Sequence, residues 1–201
     1  MVSRSGGTLP HFKIAGSLTA QAGAAGLCAL AYLAAGCSSA SYGMTKCPSA
    51  SVVGKAARAS GLKLLPGSAA SAPGSTTPTD LTCNYVPADQ YQSSLHDSHN
   101  APGVEIYLFP KRIVSNRLIG GVDGHAAVQS GSAAVSGQIM LGGKQSPVTS
   151  FSNGYGAWTG QRLPDGSYAA LAIYLAAGQA PRSATEFQNE LQAVAHVSGL
   201  G

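Results

Sequence analysis

An α+β fold is what this 201-residue sequence predicts: a two-layer sandwich, an antiparallel sheet with an N-terminal and a C-terminal helix on one face, and one disulfide. Three observations carry it. Apolar residues alternate with polar ones at Leu81-Cys83-Tyr85 and again at Val104-Ile106-Leu108, the period of half-buried strands. Two further β-patterned runs flank Leu163-Pro164-Asp165-Gly166, with Pro at the second turn position and Gly at the fourth, the mark of an antiparallel hairpin. A capping box at Ser183-Ala184-Thr185-Glu186 then opens a terminal helix. The order helix, strands, hairpin, helix, without any fixed-period repeat, fits helices segregated to one side of a sheet.

The first helix opens after Cys47-Pro48, with Ser49 or Ser51 as cap. Val52, Val53, Ala56 and Ala59 recur at helical spacing, and Gly61 can end it. Residues 66–78 are Pro, Gly, Ser, Thr and Ala only, a flexible surface loop with nothing apolar enough to order it. A strand through Cys83 follows, then a polar loop at 87–103, then a strand over 104–109 stopped by Pro110. A short helix is expected from Pro110 to Ile119, with Gly120-Gly121 as its stop. Residues 122–150 carry weaker signals: short β segments at Ala126–Gln129 and Gln138–Leu141, with Gly142-Gly143 as a turn. In the hairpin over Tyr155–Arg162 and Ser167–Leu175, Leu171, Ile173 and Leu175 share one face; Tyr168 and Tyr174 share the other. Phe187, Leu191 and Val194 form the apolar stripe of the last helix.

The N-terminus reads as a processing signal. Residues 1–13 hold Arg4, His11 and Lys13 without an acid, and Ile14–Gly36 is uncharged and rich in Ala, Gly and Leu. A membrane-spanning helix competes for this stretch, but Ser17, Thr19, Gln21 and four glycines weaken it. Small residues lead into a cysteine at Leu33-Ala34-Ala35-Gly36-Cys37-Ser38-Ser39, which resembles a bacterial lipobox. The resemblance departs from the commonest pattern in that Leu33 lies four residues before the cysteine instead of three. It implies a lipoprotein precursor. Residues 1–36 are then a signal peptide, Cys37 takes a diacylglyceryl group, and cleavage falls just before it. Ordinary secretion with a cut near Ala40 is the rival. In the lipoprotein reading, residues 37–46 are a lipidated tether and 47–201 one domain. Composition likewise resembles the small Ala/Gly-rich lipoproteins of actinobacteria-like genomes, a likeness that conveys no activity.

Processing leaves Cys47 and Cys83 as an even pair in an oxidising compartment, which predicts a disulfide across 36 residues. A reactive thiol or a metal pair is the alternative, and neither gains support from flanking His or Cys. Removal of residues 1–36 also leaves ten Lys and Arg against eight Asp and Glu. A net charge of +2 without a basic stripe argues against a nucleic-acid partner.

Candidate chemistry is sparse. His96-Asp97-Ser98-His99 is the densest set of ligand-type side chains, but two His three apart converge only on a helix, and no third ligand is nearby. His125 has no Ser, Cys or acid in a recognisable relation, Ser60-Gly61-Leu62-Lys63 lacks its partner motifs, and Asn153–Gly156 is no phosphate loop. The expectation is therefore no enzyme, no metal and no cofactor. Trp158, Tyr168 and Tyr174 would form an aromatic partner patch if their face is uncovered; core packing is the alternative. The chain is expected to act as a non-catalytic binding or accessory module on the outer face of the cytoplasmic membrane, held by lipid on Cys37. An envelope protein would be its partner. The alternative is a carrier or sensor for an apolar ligand held between sheet and helices.

Overall fold

The computed structural model describes residues 44–66, 81–95, 102–114 and 132–201. Its elements are α1 (Ala50–Ala56), β1 (Leu62–Leu64), β2 (Leu81–Pro87), α2 (Tyr91–Ser94), β3 (Gly103–Phe109), a 3-10 turn at Lys111–Ile113, β4 (Ala133–Leu141), β5 (Lys144–Phe151), β6 (Gly156–Arg162), β7 (Tyr168–Tyr174) and α3 (Ala184–Val197). All strands pair antiparallel in one sheet of order β1-β2-β3-β7-β6-β5-β4. Two meanders, β1-β2-β3 and β4-β5-β6-β7, thus meet at a central β3–β7 seam that pairs Ile106 with Leu171 and Glu105 with Ala172.

Local chemistry fixes the turns. Leu141 pairs with Lys144 across Gly142-Gly143, and both glycines have positive φ (59° and 75°), the two-residue hairpin turn that L side chains resist. At the β6–β7 turn the Gly166 N–H donates to the Leu163 carbonyl at 2.9 Å, and Asp165 Oδ1 accepts from the Ser167 N–H at 2.9 Å. The capping box is present: Ser183 Oγ accepts from the Glu186 N–H, and the Ser183 N–H donates to Glu186 Oε2.

The main core lies on the helix side of the sheet. Cys83, Tyr85, Val104, Ile106, Leu171, Ile173, Ile139 and Leu141 meet Phe187, Leu191 and Val194 of α3, Val53 of α1 and Ala57 just past its end. Sheet and helices form the expected mixed class, with α1 packed on both α3 and β1. The disulfide Cys47–Cys83 joins the chain before α1 to the middle of β2, with Cα atoms 5.6 Å apart. Beside it the Tyr85 hydroxyl donates to the Pro48 carbonyl at 2.7 Å. Along the outer edge of β4, Gln188 Nε2 donates to the Gln138 carbonyl and Gln192 Oε1 accepts from the Met140 N–H, both at 2.8 Å. Two glutamines of α3 so occupy backbone groups that an edge strand otherwise leaves open.

Several elements depart from expectation. Helix α1 ends at Ala56, short of Gly61, because Arg58 turns to φ +48° and the Arg182 guanidinium donates to the Ala57 and Arg58 carbonyls. Ser49 is its N-cap residue, but its hydroxyl meets Ser51 Oγ and caps no backbone N–H. Strands β1 and β5 and helix α2 were not expected. Met44 is 6% exposed and packs in the main core. Of the helix expected at Pro110–Ile119, the described part holds only the 3-10 turn, after which Val114 is extended. The loop after Pro66 and the β segment at Ala126–Gln129 lie outside the described residues.

Candidate functional site

The sheet face opposite the helices carries the most unusual chemistry. Small residues Gly160, Ala170 and Ala172 form a floor between larger neighbours; Gly160 leaves the space that the Tyr168 ring fills. Glu105 rises from the centre of β3 on this face, only 6% exposed, opposite Ala172 of β7. The Tyr107 hydroxyl, two residues along the same strand, donates to Glu105 Oε2 at 2.9 Å. Trp158 pairs across from Ala172, one strand further on. Phe151 joins the aromatic side, its ring 5.5 Å from that of Trp158 and 6.0 Å from that of Tyr174. A cavity of about 10 Å³, room for a single water, is bounded by Glu105, Tyr107, Trp158, Ala172 and Tyr174.

Electrostatics follow from this burial. Loss of solvent pushes the Glu105 carboxyl up to about 7, and the Tyr107 hydrogen bond offsets only part of the rise. Burial also pushes both phenols, Tyr107 and Tyr174, well above their ordinary value, and the neighbouring Glu105 charge adds to it. The arrangement keeps one proton exchangeable near neutral pH inside an aromatic surround.

Trp158, Tyr168 and Tyr174 do share this face, but not as one open patch. Tyr168 is 2% exposed and forms a second small cluster with Phe109 and Ala170, against which Tyr107 and Val114 pack. Its ring lies down over Gly160, and of the three only Trp158 and Tyr174 are half-buried. Glu105 and Tyr107 were missed as site residues. They stand at polar positions of an alternating strand, and their only signal was aromatic rings where a solvated face would hold charges.

A second buried acid sits between the helices. Glu190 Oε2 pairs with Arg182 Nη1 at 2.5 Å, while Oε1 has no hydrogen-bond partner among the described residues. Burial raises its carboxyl pKa and the Arg182 guanidinium opposes the rise. Because Arg182 also donates to carbonyls at the end of α1, this pair reads as a clamp between helices.

Cys37, His96, Asp97, His99 and His125 lie outside the described residues. Among the described residues no cluster of three or more His, Cys, Asp or Glu could hold a metal ion, and no helix is long and apolar enough to cross a membrane. Ser60 is exposed at a bend and Lys63 lies in β1 with its ammonium 5.2 Å above the Tyr91 ring. Asn153-Gly154 is a turn in which Asn153 Oδ1 accepts from the Tyr155 N–H. Comparison with protein-family models, with curated proteins and with solved structures finds no match for the chain.

Proposed function

We propose that the chain is a lipoprotein held at the outer face of the cytoplasmic membrane by lipid on Cys37, acting there as a non-catalytic binding or accessory module. The observation that carries this reading is the Cys47–Cys83 disulfide ten residues beyond the Leu33–Cys37 motif. A disulfide persists in an oxidising compartment outside the cytoplasm, and the motif supplies both export and anchor. Two or more acyl chains on one cysteine make the attachment stable where a single chain would not. Trp158 and Tyr174 are the aromatic surface offered to an envelope partner, since such side chains give large contact area at low entropic cost. The apolar-carrier reading gains nothing from the space between sheet and α3, which Phe187, Leu191 and Val194 fill.

Cys37→Ala tests the anchor. The expected outcome is loss of metabolic lipid labelling, accumulation of unprocessed precursor, and an intact mass without acyl chains. Cleavage at the same bond in that variant replaces the anchor with ordinary secretion.

A further inference from the structure

Charge is distributed unevenly along the part of the chain beyond the signal segment. Residues 44–66 hold Lys46, Lys55, Arg58 and Lys63, all exposed, and no Asp or Glu. Counted from Cys37, the chain to Pro66 carries +4, and residues 67–201 carry −2. Lys55, in the last turn of α1, and Arg58, just past its end, both line two surface grooves. One, of about 540 Å³, runs along α1 toward Gly61 and Leu62. The other, of about 500 Å³, lies between α1 and α3, with Val52, Ala56, Ala193 and Val197 as apolar lining and His196 at its rim. Val52 is 44% exposed beside these cations. The acids that face them from α3 are few: Glu190 is buried and paired with Arg182, and exposed Glu186 is engaged in the capping box.

We propose that this α1 face lies against an anionic phospholipid bilayer, its lysines and arginine in the headgroup layer and Val52 at the interface. The inference rests on the lipid anchor proposed above and adds to it an orientation. Seven residue steps separate Cys37 from buried Met44, a reach of about 25 Å even when fully extended. A domain of about 160 residues is roughly 40 Å across, so such a tether holds the surface beside Met44 and Cys47 near the bilayer and keeps the far side away. Helix α1 begins three residues after Cys47. Cations held within a Debye length of anionic lipid are attracted, each additively, and the acid-free stretch is the one the tether brings there.

The test uses the full processed protein carrying Val52→Cys or Val135→Cys, each labelled with a fluorophore. Val135 is 69% exposed on β4, at the opposite sheet edge from β1. Vesicles of phosphatidylcholine, with or without phosphatidylglycerol, carry a nitroxide quencher in the headgroup layer. Expected is stronger quenching at 52 than at 135, dependent on phosphatidylglycerol, lost at high salt and lost in K55E/R58E at an unchanged thermal midpoint. Equal quenching at both positions, no dependence on anionic lipid, or full retention in K55E/R58E overturns the proposal. So does salt-sensitive binding of a polyglutamate peptide without a vesicle response, which assigns the face to an acidic protein. Intact mass reports the lipid on Cys37 separately. Lipidated protein without the positional contrast sinks the orientation and leaves the anchor; unlipidated protein with the contrast sinks the anchor and leaves the basic face.

Discussion

Glu105 keeps its proton into the neutral range because ionising it would place a charge among Ala172, Trp158 and Tyr174 with the Tyr107 hydroxyl as its hydrogen-bond donor. An unfolded chain ionises the same group at its ordinary 4.5, whereas the folded one waits until about 7. Between those values the native state binds more protons than the unfolded one, so stability falls as pH rises through that window and levels off above it. The shift corresponds to about 3 kcal/mol. Glu105→Gln keeps an acceptor for Tyr107 without a titratable group. Its unfolding free energy should lack this decline and exceed the wild-type value at pH 8, as read from urea unfolding at pH 4 to 8. A variant with the wild-type slope would locate the titration elsewhere. Nothing in the composition announced this group, since one Glu in an alternating strand ordinarily faces water. Only the folded sheet, with aromatic rings on both sides, makes it a buried acid.

At the level of elements, legibility followed local chemistry. Helix α3 and the β6–β7 hairpin were readable because a capping box and a Pro-Asp-Gly turn specify their own geometry within a few residues. Strand β5 was not. Its inward positions include Ser146 and Ser150, which carry no apolar signal, and Pro147 interrupts the pattern. These hydroxyls are buried because strand neighbours satisfy them: Ser146 with Thr159 at 2.8 Å, and Ser150 with Ser136 at 2.6 Å. That complement exists only after β4, β5 and β6 are assembled. Helix α1 was legible at its start, but its end is set by Arg182, some 125 residues away in sequence. The Cys47–Cys83 pair was legible from counting and ties the chain just before α1 to the middle of β2. Replacing both cysteines by serine should cost about 3 to 4 kcal/mol for a loop of this length, measured by denaturant unfolding of oxidised wild type against the variant. A loss below about 1 kcal/mol would mean that the Tyr85–Pro48 contact and the core already hold α1 in place.

For the whole molecule, the unequal split of charge sets how it approaches other surfaces. From Cys37 to Pro66 the chain carries +4 and from residue 67 to 201 it carries −2, an asymmetry that a single net charge conceals. The aromatic face around Trp158 lies on the sheet side opposite α1 and α3, so the same domain can rest on one side and present the other. Function was not legible in the sequence, because fold and composition leave no motif of fixed spacing that assigns a reaction or a partner.

The β3–β7 seam has a kinetic consequence. The β4–β7 meander closes only short turns, whereas residues 65–80 and 88–102 separate the strands of the β1–β3 meander; the seam joins residues 59 to 71 positions apart and must wait for both. Folding should therefore proceed through the β4–β7 meander, nucleated at the Gly142-Gly143 and Leu163–Ser167 turns, with the central ladder zipping late. Gly143→Ala, at a position with φ +75°, should slow refolding in stopped-flow experiments. Ile106→Val, in the seam, should instead speed unfolding and leave the folding rate nearly unchanged. If Ile106→Val slows folding as much as it destabilises, the centre of the sheet forms first. An early seam would leave the nascent chain little time as two unjoined halves with open strand edges; a late one makes that interval the hazard this protein must survive.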